Sequence, residues 1–320
     1  MSKTPSLVSI IATVYNEEDM LPAYFEALAK VLEPIKNIRF ELLIVNDGSS
    51  DNSLSIAKEQ LLKKAPYELK VISFSRNFGK ESAISAGFDY ASGDAAILMD
   101  SDLEDPVELI PQMIDKWVEG NDIVYTVRRR RVEGLFKCFF AWCFYKVINV
   151  FSDVHIYHNA GDYRLFDKKA VAALDKIGEK NRFSKGLFNW IGFKSTAIEY
   201  DRYAREKGET KWSFLQLWHY AMDGIISFST VPLKFWIFIG MTVSFLSFSY
   251  AIFLIARTVL YGIDLPGYAS TIVIMMFLNG IILVNLGILS EYIARIFVEV
   301  KNRPNYVVNE LLDSTLESKN

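Results

Sequence analysis

Two charge-free stretches, Phe235–Ala256 and Ala269–Ser290, limit what this chain can fold into more than any other feature. Each exceeds the roughly 20 apolar residues that cross a bilayer core. A soluble core rarely needs two helices so long and so free of charge. Between them lies Gly262-Ile263-Asp264-Leu265-Pro266-Gly267, a turn-rich connection that makes the pair a helical hairpin. The composition agrees, with 51% hydrophobic and 14% aromatic residues and a mean hydropathy of +0.16. Lys234 precedes the first span, and Arg295, Lys301 and Arg303 follow the second, whereas the connecting loop carries little beyond Arg257 at its edge. Basic residues favour the cytoplasmic side, so both termini are expected there. Asn279, Gly280, Asn285 and Gly287 give the second span small and polar packing positions, which leave room for a homo-oligomer.

The segment before the spans has a different pattern. Short β-branched runs at Leu7–Val14, Glu41–Asp47, Leu69–Ser75, Ala95–Asp100 and Asp122–Val127 alternate with helix-like stretches near Glu18–Leu32, Asp51–Lys64, Lys80–Ala91 and Pro106–Glu119. That alternation predicts βαβ units and a mainly parallel sheet. Ligands bind at the carboxyl ends of such strands. Glu17, Asp47 and Asp100 fall at those ends. The polar opening residues, Met1 to Ser6, do not read as a signal peptide. The net charge of −3 gives no basic character for nucleic acid. Cys138 and Cys143 have no partner motif and suit packed thiols in a reducing compartment.

Past Val127 the chain changes again. Arg128-Arg129-Arg130-Arg131 leads into the apolar stretch Leu135–Phe151, and a second such stretch is Ser213–Ser229. In the latter, Gln216, His219, Asp223 and Ser227 share one helical face and apolar side chains cover the other, the pattern of a helix lying in a membrane interface. The arginine run beside an aromatic helix suits anionic lipid or a phosphate headgroup.

The sharpest local signal is Asp100-Ser101-Asp102-Leu103-Glu104-Asp105-Pro106. Two carboxylates two residues apart, leaving a strand, can face one point if the chain turns. Mg²⁺ or Mn²⁺ takes such hard oxygens together with substrate phosphates. Asp105 reads instead as an N-cap ahead of Pro106.

Taken in order, Val14-Tyr15-Asn16-Glu17-Glu18, Val45-Asn46-Asp47-Gly48-Ser49-Ser50-Asp51, Arg76-Asn77-Phe78-Gly79-Lys80, Asp100-Ser101-Asp102, Gly161-Asp162-Tyr163-Arg164-Leu165 and Gly208-Glu209-Thr210-Lys211-Trp212 resemble the ordered motifs of family-2 inverting glycosyltransferases of GT-A fold. The paired spans, Glu291-Tyr292-Ile293-Ala294-Arg295 and Val300-Lys301-Asn302-Arg303-Pro304 extend the resemblance to polyprenyl-phosphate glycosyltransferases, relatives of dolichol-phosphate mannose synthase. Within these, the chain resembles the bactoprenol glucosyltransferases of bacterial and phage O-antigen modification.

The resemblance implies a cytoplasmic GT-A domain over 1–212 that includes an interfacial helix at about 135–151, an interfacial helix over 213–229, a two-helix hairpin over 235–295 and a cytoplasmic tail over 296–320, in a bacterial inner membrane. It implies a nucleotide-sugar donor, UDP-glucose first among them, and a polyprenyl phosphate acceptor. Glu17, Asp47, Lys80 and Asp100 would bind the nucleotide-sugar; Asp100 and Asp102, catalytic together with Asp162, would hold metal and diphosphate, with Glu104 as a third metal ligand. Asp162 and Arg164 would sit at the sugar–acceptor junction, where Asp162 orients the sugar or stabilises positive charge at the anomeric carbon. Arg128, Arg202, Arg205 and Lys211 would bind acceptor and diphosphate, the last three from a loop that closes on phosphates. Two positions depart from the pattern: Thr13 stands where proline is usual, and Glu104 where glutamine is usual. A processive polysaccharide synthase would carry Gln-x-x-Arg-Trp and more spans, and neither is found. A non-catalytic nucleotide-binding or lipid-flipping partner would not need the intact acid set.

Overall fold

The structure, a computed structural model, describes residues 5–128, 160–180, 182, 184–200, 231–262 and 267–314. Its centre is an eight-stranded mixed sheet. The strands are β1 (Leu7–Val14), β2 (Arg39–Asn46), β3 (Glu68–Phe74), β4 (Ala95–Asp100), β5 (Ile123–Arg128), β6 (Ala160–Asp167), β7 (Ser195–Tyr200) and β8 (Val308–Asp313). They lie in the order β7-β5-β6-β4-β1-β2-β3-β8. β1 pairs parallel with both β2 and β4, so the chain reverses direction across the sheet at β1.

Burial on both faces accounts for the nearly continuous apolar runs of β1 and β2. Alternate residues point to opposite sides. Val8, Ile10, Leu42 and Ile44 enter one core, and Ile11, Leu43 and Val45 enter the other. The first core is closed by α1 (Leu21–Leu32) and α4 (Ile110–Val118), the latter placing Ile110, Met113, Ile114 and Trp117 on one stripe. α2 (Ser53–Leu61) adds Ala57 on the same side. α3 (Lys80–Tyr90), α5 (Lys168–Asp175) and α6 (Ser184–Trp190) cover the second core, where Phe88, Phe166 and Phe188 meet ring to ring. The parallel pairing of β1 with β2 and β4, and of β2 with β3, is what the strand–helix alternation predicts, whereas β6 and β8 enter antiparallel.

One local expectation is corrected. Asp105 does not cap the following helix: Pro106 holds the N-cap position of a 3-10 turn (Val107–Leu109) with no side-chain cap bond. Asp105 is instead buried and accepts a hydrogen bond from the Tyr200 hydroxyl. Burial of a carboxylate beside a phenol, not helix entry, explains an acid at this position.

α7 (Val231–Tyr261) and α8 (Tyr268–Lys301) are long and apolar enough to cross a membrane. Their side chains are uncovered: Phe245 is 73% exposed and Leu283 69%. Two helices of apolar surface on this scale exceed what a monomer leaves in water, so lipid or protein must cover them. The segment expected to be a tail returns to the sheet. β8 pairs antiparallel with β3 and covers its edge, and Tyr306 stacks on Phe74 at 4.9 Å. Tyr306 also donates to Asp89 (2.6 Å), and Lys58 pairs with Glu310 (2.5 Å). The far end of the second long helix is thereby tied to the sheet. The stretches 135–151 and 213–229 lie outside the described residues.

Candidate active site

A cleft opens at the carboxyl ends of β1, β2 and β4, beside the strand where the topology reverses, which is where open α/β sheets bind ligands. Its volume is about 290 Å³, and Glu17, Asp47, Asn77, Lys80, Asp100 and Asp102 are among its lining residues.

The walls are two interlocked loops. Asn16 adopts a left-handed backbone (φ 56°), which asparagine tolerates. Its side-chain oxygen accepts from Ser50 N (2.9 Å), while its own N–H donates to Ser49 Oγ (3.0 Å). Glu17 N donates to Ser53 Oγ, Glu18 N to Asp51 Oδ2, and Asn52 N to Glu18 Oε2. Much of the Tyr15–Glu18 and Asp47–Ser53 motif pair therefore serves to fasten these loops to each other.

Asp47 is 3% exposed and works on the chain itself. Oδ1 accepts from Phe78 N (2.7 Å) and Oδ2 from Gly79 N (2.9 Å), fixing the loop that delivers Lys80. Burial pushes its pKa up, and those two N–H bonds only partly offset the effect. Gly48 follows at φ +63°, and a Cβ there would lie 2.3 Å from the Arg76 carbonyl carbon. Only glycine allows the two loops to approach so closely.

Lys80 begins α3, directly after Gly79. Its Nζ lies 2.8 Å from Asp100 Oδ2 and 3.0 Å from Asp162 Oδ2. Burial works to depress the ammonium pKa, but Asp100 and Asp162 outweigh it and push it up. Asp162, on β6, also has Lys185 Nζ at 3.9 Å. Burial would raise this carboxylate, yet Lys185 and Lys80, with Arg164 adding to them, hold it at about 2. Arg164 itself is 1% exposed, donates from Nε to the Gly161 carbonyl (3.0 Å) and lies over the Phe188 ring. Neither Arg164 nor Asp162 is among the residues that line the cleft; Asp162 meets it through Lys80, and the Arg164 charge helps to keep that carboxylate ionised.

The acidic turn brings Asp100 and Asp102 to the cleft, but not Glu104. Leu103 takes a left-handed backbone (φ 55°) and packs against the first core, and Glu104 N donates to Asp102 Oδ1 (3.0 Å). Among the described residues no three metal-ligating side chains cluster. Of the expected set of Asp100, Asp102 and Glu104, the first two line the cleft and Glu104 is not among its lining residues. Two hard-oxygen carboxylates facing one cleft still fit Mg²⁺ or Mn²⁺ when substrate phosphates complete the coordination. Thr13 Oγ1 donates to Asp100 Oδ1 (3.3 Å), and Ser101 Oγ to the Thr13 carbonyl (3.1 Å).

Arg128 ends β5 opposite Tyr200, its side chain outside the described residues, as are Arg202, Arg205 and Lys211. The sequence reading missed Thr13 as an Asp100 partner and Lys185 as a second cation on Asp162. Lys185 carries no local motif, since only the α6–β6 approach brings it there.

Comparison with known proteins gives the family. The family model described as glycosyl transferase family 2 matches residues 9–175. An uncharacterized glycosyltransferase of Synechocystis sp. is 48% identical over 307 residues, covering 95% of each chain. A prophage-derived bactoprenol glucosyl transferase of Shigella flexneri is 40% identical over 304 residues, covering 95% of this chain and 97% of its own. Among solved structures, mannosyl-3-phosphoglycerate synthase from Rubrobacter xylanophilus aligns over 70% of this chain and 73% of its own, at 15% identity and a TM-score of 0.47. On the family match and on relatives that share nearly its whole length, the chain belongs to glycosyl transferase family 2.

Proposed function

We propose that the protein transfers glucose, with inversion, from UDP-glucose to polyprenyl phosphate at the cytoplasmic face of a bacterial inner membrane. The observation that carries this reading is one chain that joins an acid-lined cleft to two exposed apolar helices, the second tied back to the same sheet by β8. A relative at 40% identity that bears the name bactoprenol glucosyl transferase supports the choice of lipid and sugar. In this reading residues 1–212 form the catalytic domain, 213–229 lie in the interface, 235–295 cross the membrane, and both termini face the cytoplasm.

The acceptor nucleophile is a phosphate oxygen, already ionised near neutral pH, so no side chain needs to take a proton from it. That matches Asp162, whose pKa of about 2 makes it a poor base. The attacking oxygen bonds to the anomeric carbon as the bond to the donor diphosphate breaks, and the nucleoside diphosphate leaves. Asp162 orients the sugar or faces the positive charge at that carbon. Lys80, supported by Asp47 through the Phe78–Gly79 loop, faces the diphosphate. Glu17 and the interlocked loops hold the nucleoside. Asp100 and Asp102 would hold Mg²⁺ or Mn²⁺, which offsets charge on the departing diphosphate. Arg128, Arg202, Arg205 and Lys211 supply positive charge to align two anions that repel each other.

A panel of labelled nucleotide-sugars offered with one polyprenyl phosphate tests the reading. Transfer from UDP-glucose well above the others is the expected outcome. Preference for another sugar would overturn the donor, and label that never enters the lipid would overturn the acceptor.

A further inference from the structure

The cleft already contains a cation. Lys80 Nζ sits between Asp100 Oδ2 (2.8 Å) and Asp162 Oδ2 (3.0 Å), with its side chain 44% exposed. The other Asp100 oxygen accepts from Thr13, so both oxygens are engaged. The two carboxylates differ in what else covers them. Asp162 keeps Lys185 at 3.9 Å and the buried Arg164 two residues along β6. Asp100 has no second cation among the described residues within ion-pair distance.

We propose that Lys80 is the resident counterion of Asp100, which a metal ion can engage only when a donor diphosphate draws the lysine away. The inference rests on the metal and donor reading above. A divalent ion at Asp100 with Lys80 in place would face a like charge at close range, a repulsion that solvent reaching the half-exposed lysine screens only in part. Lysine suits the exchange because its compact charge rides on a flexible stem, whereas a planar guanidinium would grip the carboxylate at two points. When Lys80 swings to the diphosphate, neither acid is left bare: Asp162 retains Lys185 and Arg164, and Asp100 gains the metal. Donor and metal would then bind with positive coupling, and the cleft without donor would resist idle metal.

The test measures Mn²⁺ binding to the full chain in detergent by electron paramagnetic resonance, with and without UDP. The parent is expected to bind Mn²⁺ weakly alone and much more tightly with UDP. Lys80→Met should bind Mn²⁺ alone about tenfold more tightly than the parent, a coupling of ordinary size between two sites. The gain from adding UDP should shrink to match. Asp100→Asn on that background should remove the gain. Lys80→Gln, which can still hydrogen-bond both carboxylates, carries the same expectation should the methionine variant fold poorly. Variants binding Mn²⁺ alone no better than the parent, or a gain that survives Asp100→Asn, would overturn the proposal. If neither parent nor variant binds Mn²⁺ even with UDP, the metal reading falls and the proposal with it.

Discussion

Thr13 donates its hydroxyl to Asp100 across the β1–β4 pairing, 3.3 Å from oxygen to oxygen. The resemblance marks this position as unusual, since proline is common there. The structure gives the threonine work to do: it orients the carboxylate that also meets Lys80. Thr13→Val keeps the shape of the side chain and removes the hydroxyl. Transfer should slow roughly fivefold, the equivalent of about 1 kcal/mol for one lost hydrogen bond, with the melting temperature little changed. Parent-like kinetics would show that Asp100 needs no such support.

Glu104 provides a sharper contrast between sequence and structure. As a third metal ligand, Glu104→Gln would raise the metal concentration needed for half-maximal activity. Outside the cleft, behind the left-handed Leu103, it should leave that concentration unchanged. Metal titration of the transfer rate decides between them, and a clear rise would restore Glu104 to the site.

The pH profile tests the role of Asp162. Its folded pKa of about 2 lies below the ordinary 3.8. The stability it contributes is therefore complete above about pH 4 and lost as pH falls through 2. It stays charged wherever the enzyme works, so the acidic limb of the rate profile should come from the acceptor phosphate, near pH 6. Asp162→Asn should lower the rate on the order of a hundredfold and leave that limb in place. A limb that disappears with the substitution would make Asp162 the base.

How much of this was visible in the sequence differs by element. β1, β4 and the start of α3 fall where the apolar runs and turn residues put them, because buried central strands and glycine-bounded helices leave strong local signals. β8 left none: Val308–Asp313 mixes apolar and acidic residues and becomes a strand only because β3 offers an open edge. The site divides in the same way. Lys80, Asp100 and Asp102 stand out in motifs. The reach of Lys185 to Asp162, and the engagement of Asp47 by backbone N–H groups, arise from packing between segments distant in sequence.

The returning strand carries its own prediction. Tyr306 both stacks on Phe74 and donates to Asp89. Tyr306→Ala should lower stability by about 2 kcal/mol through lost packing and one lost hydrogen bond. A chain ending at Asn302 should do worse, since it exposes the β3 edge to pairing with other molecules. Thermal unfolding and size-exclusion profiles of the detergent-solubilised protein report both. A truncated chain that stays monodisperse at parent stability would mean the β8 pairing contributes nothing.

Labelled glucose from UDP-glucose, followed into the organic phase with and without polyprenyl phosphate for the parent and for Asp102→Asn, tests transfer to the lipid itself. The parent should move label into lipid only when polyprenyl phosphate is present, and Asp102→Asn, folded and of nearly the same size, should lose that transfer by orders of magnitude. Equal transfer by the two proteins, or organic-phase label that does not depend on polyprenyl phosphate, would overturn the proposed reaction.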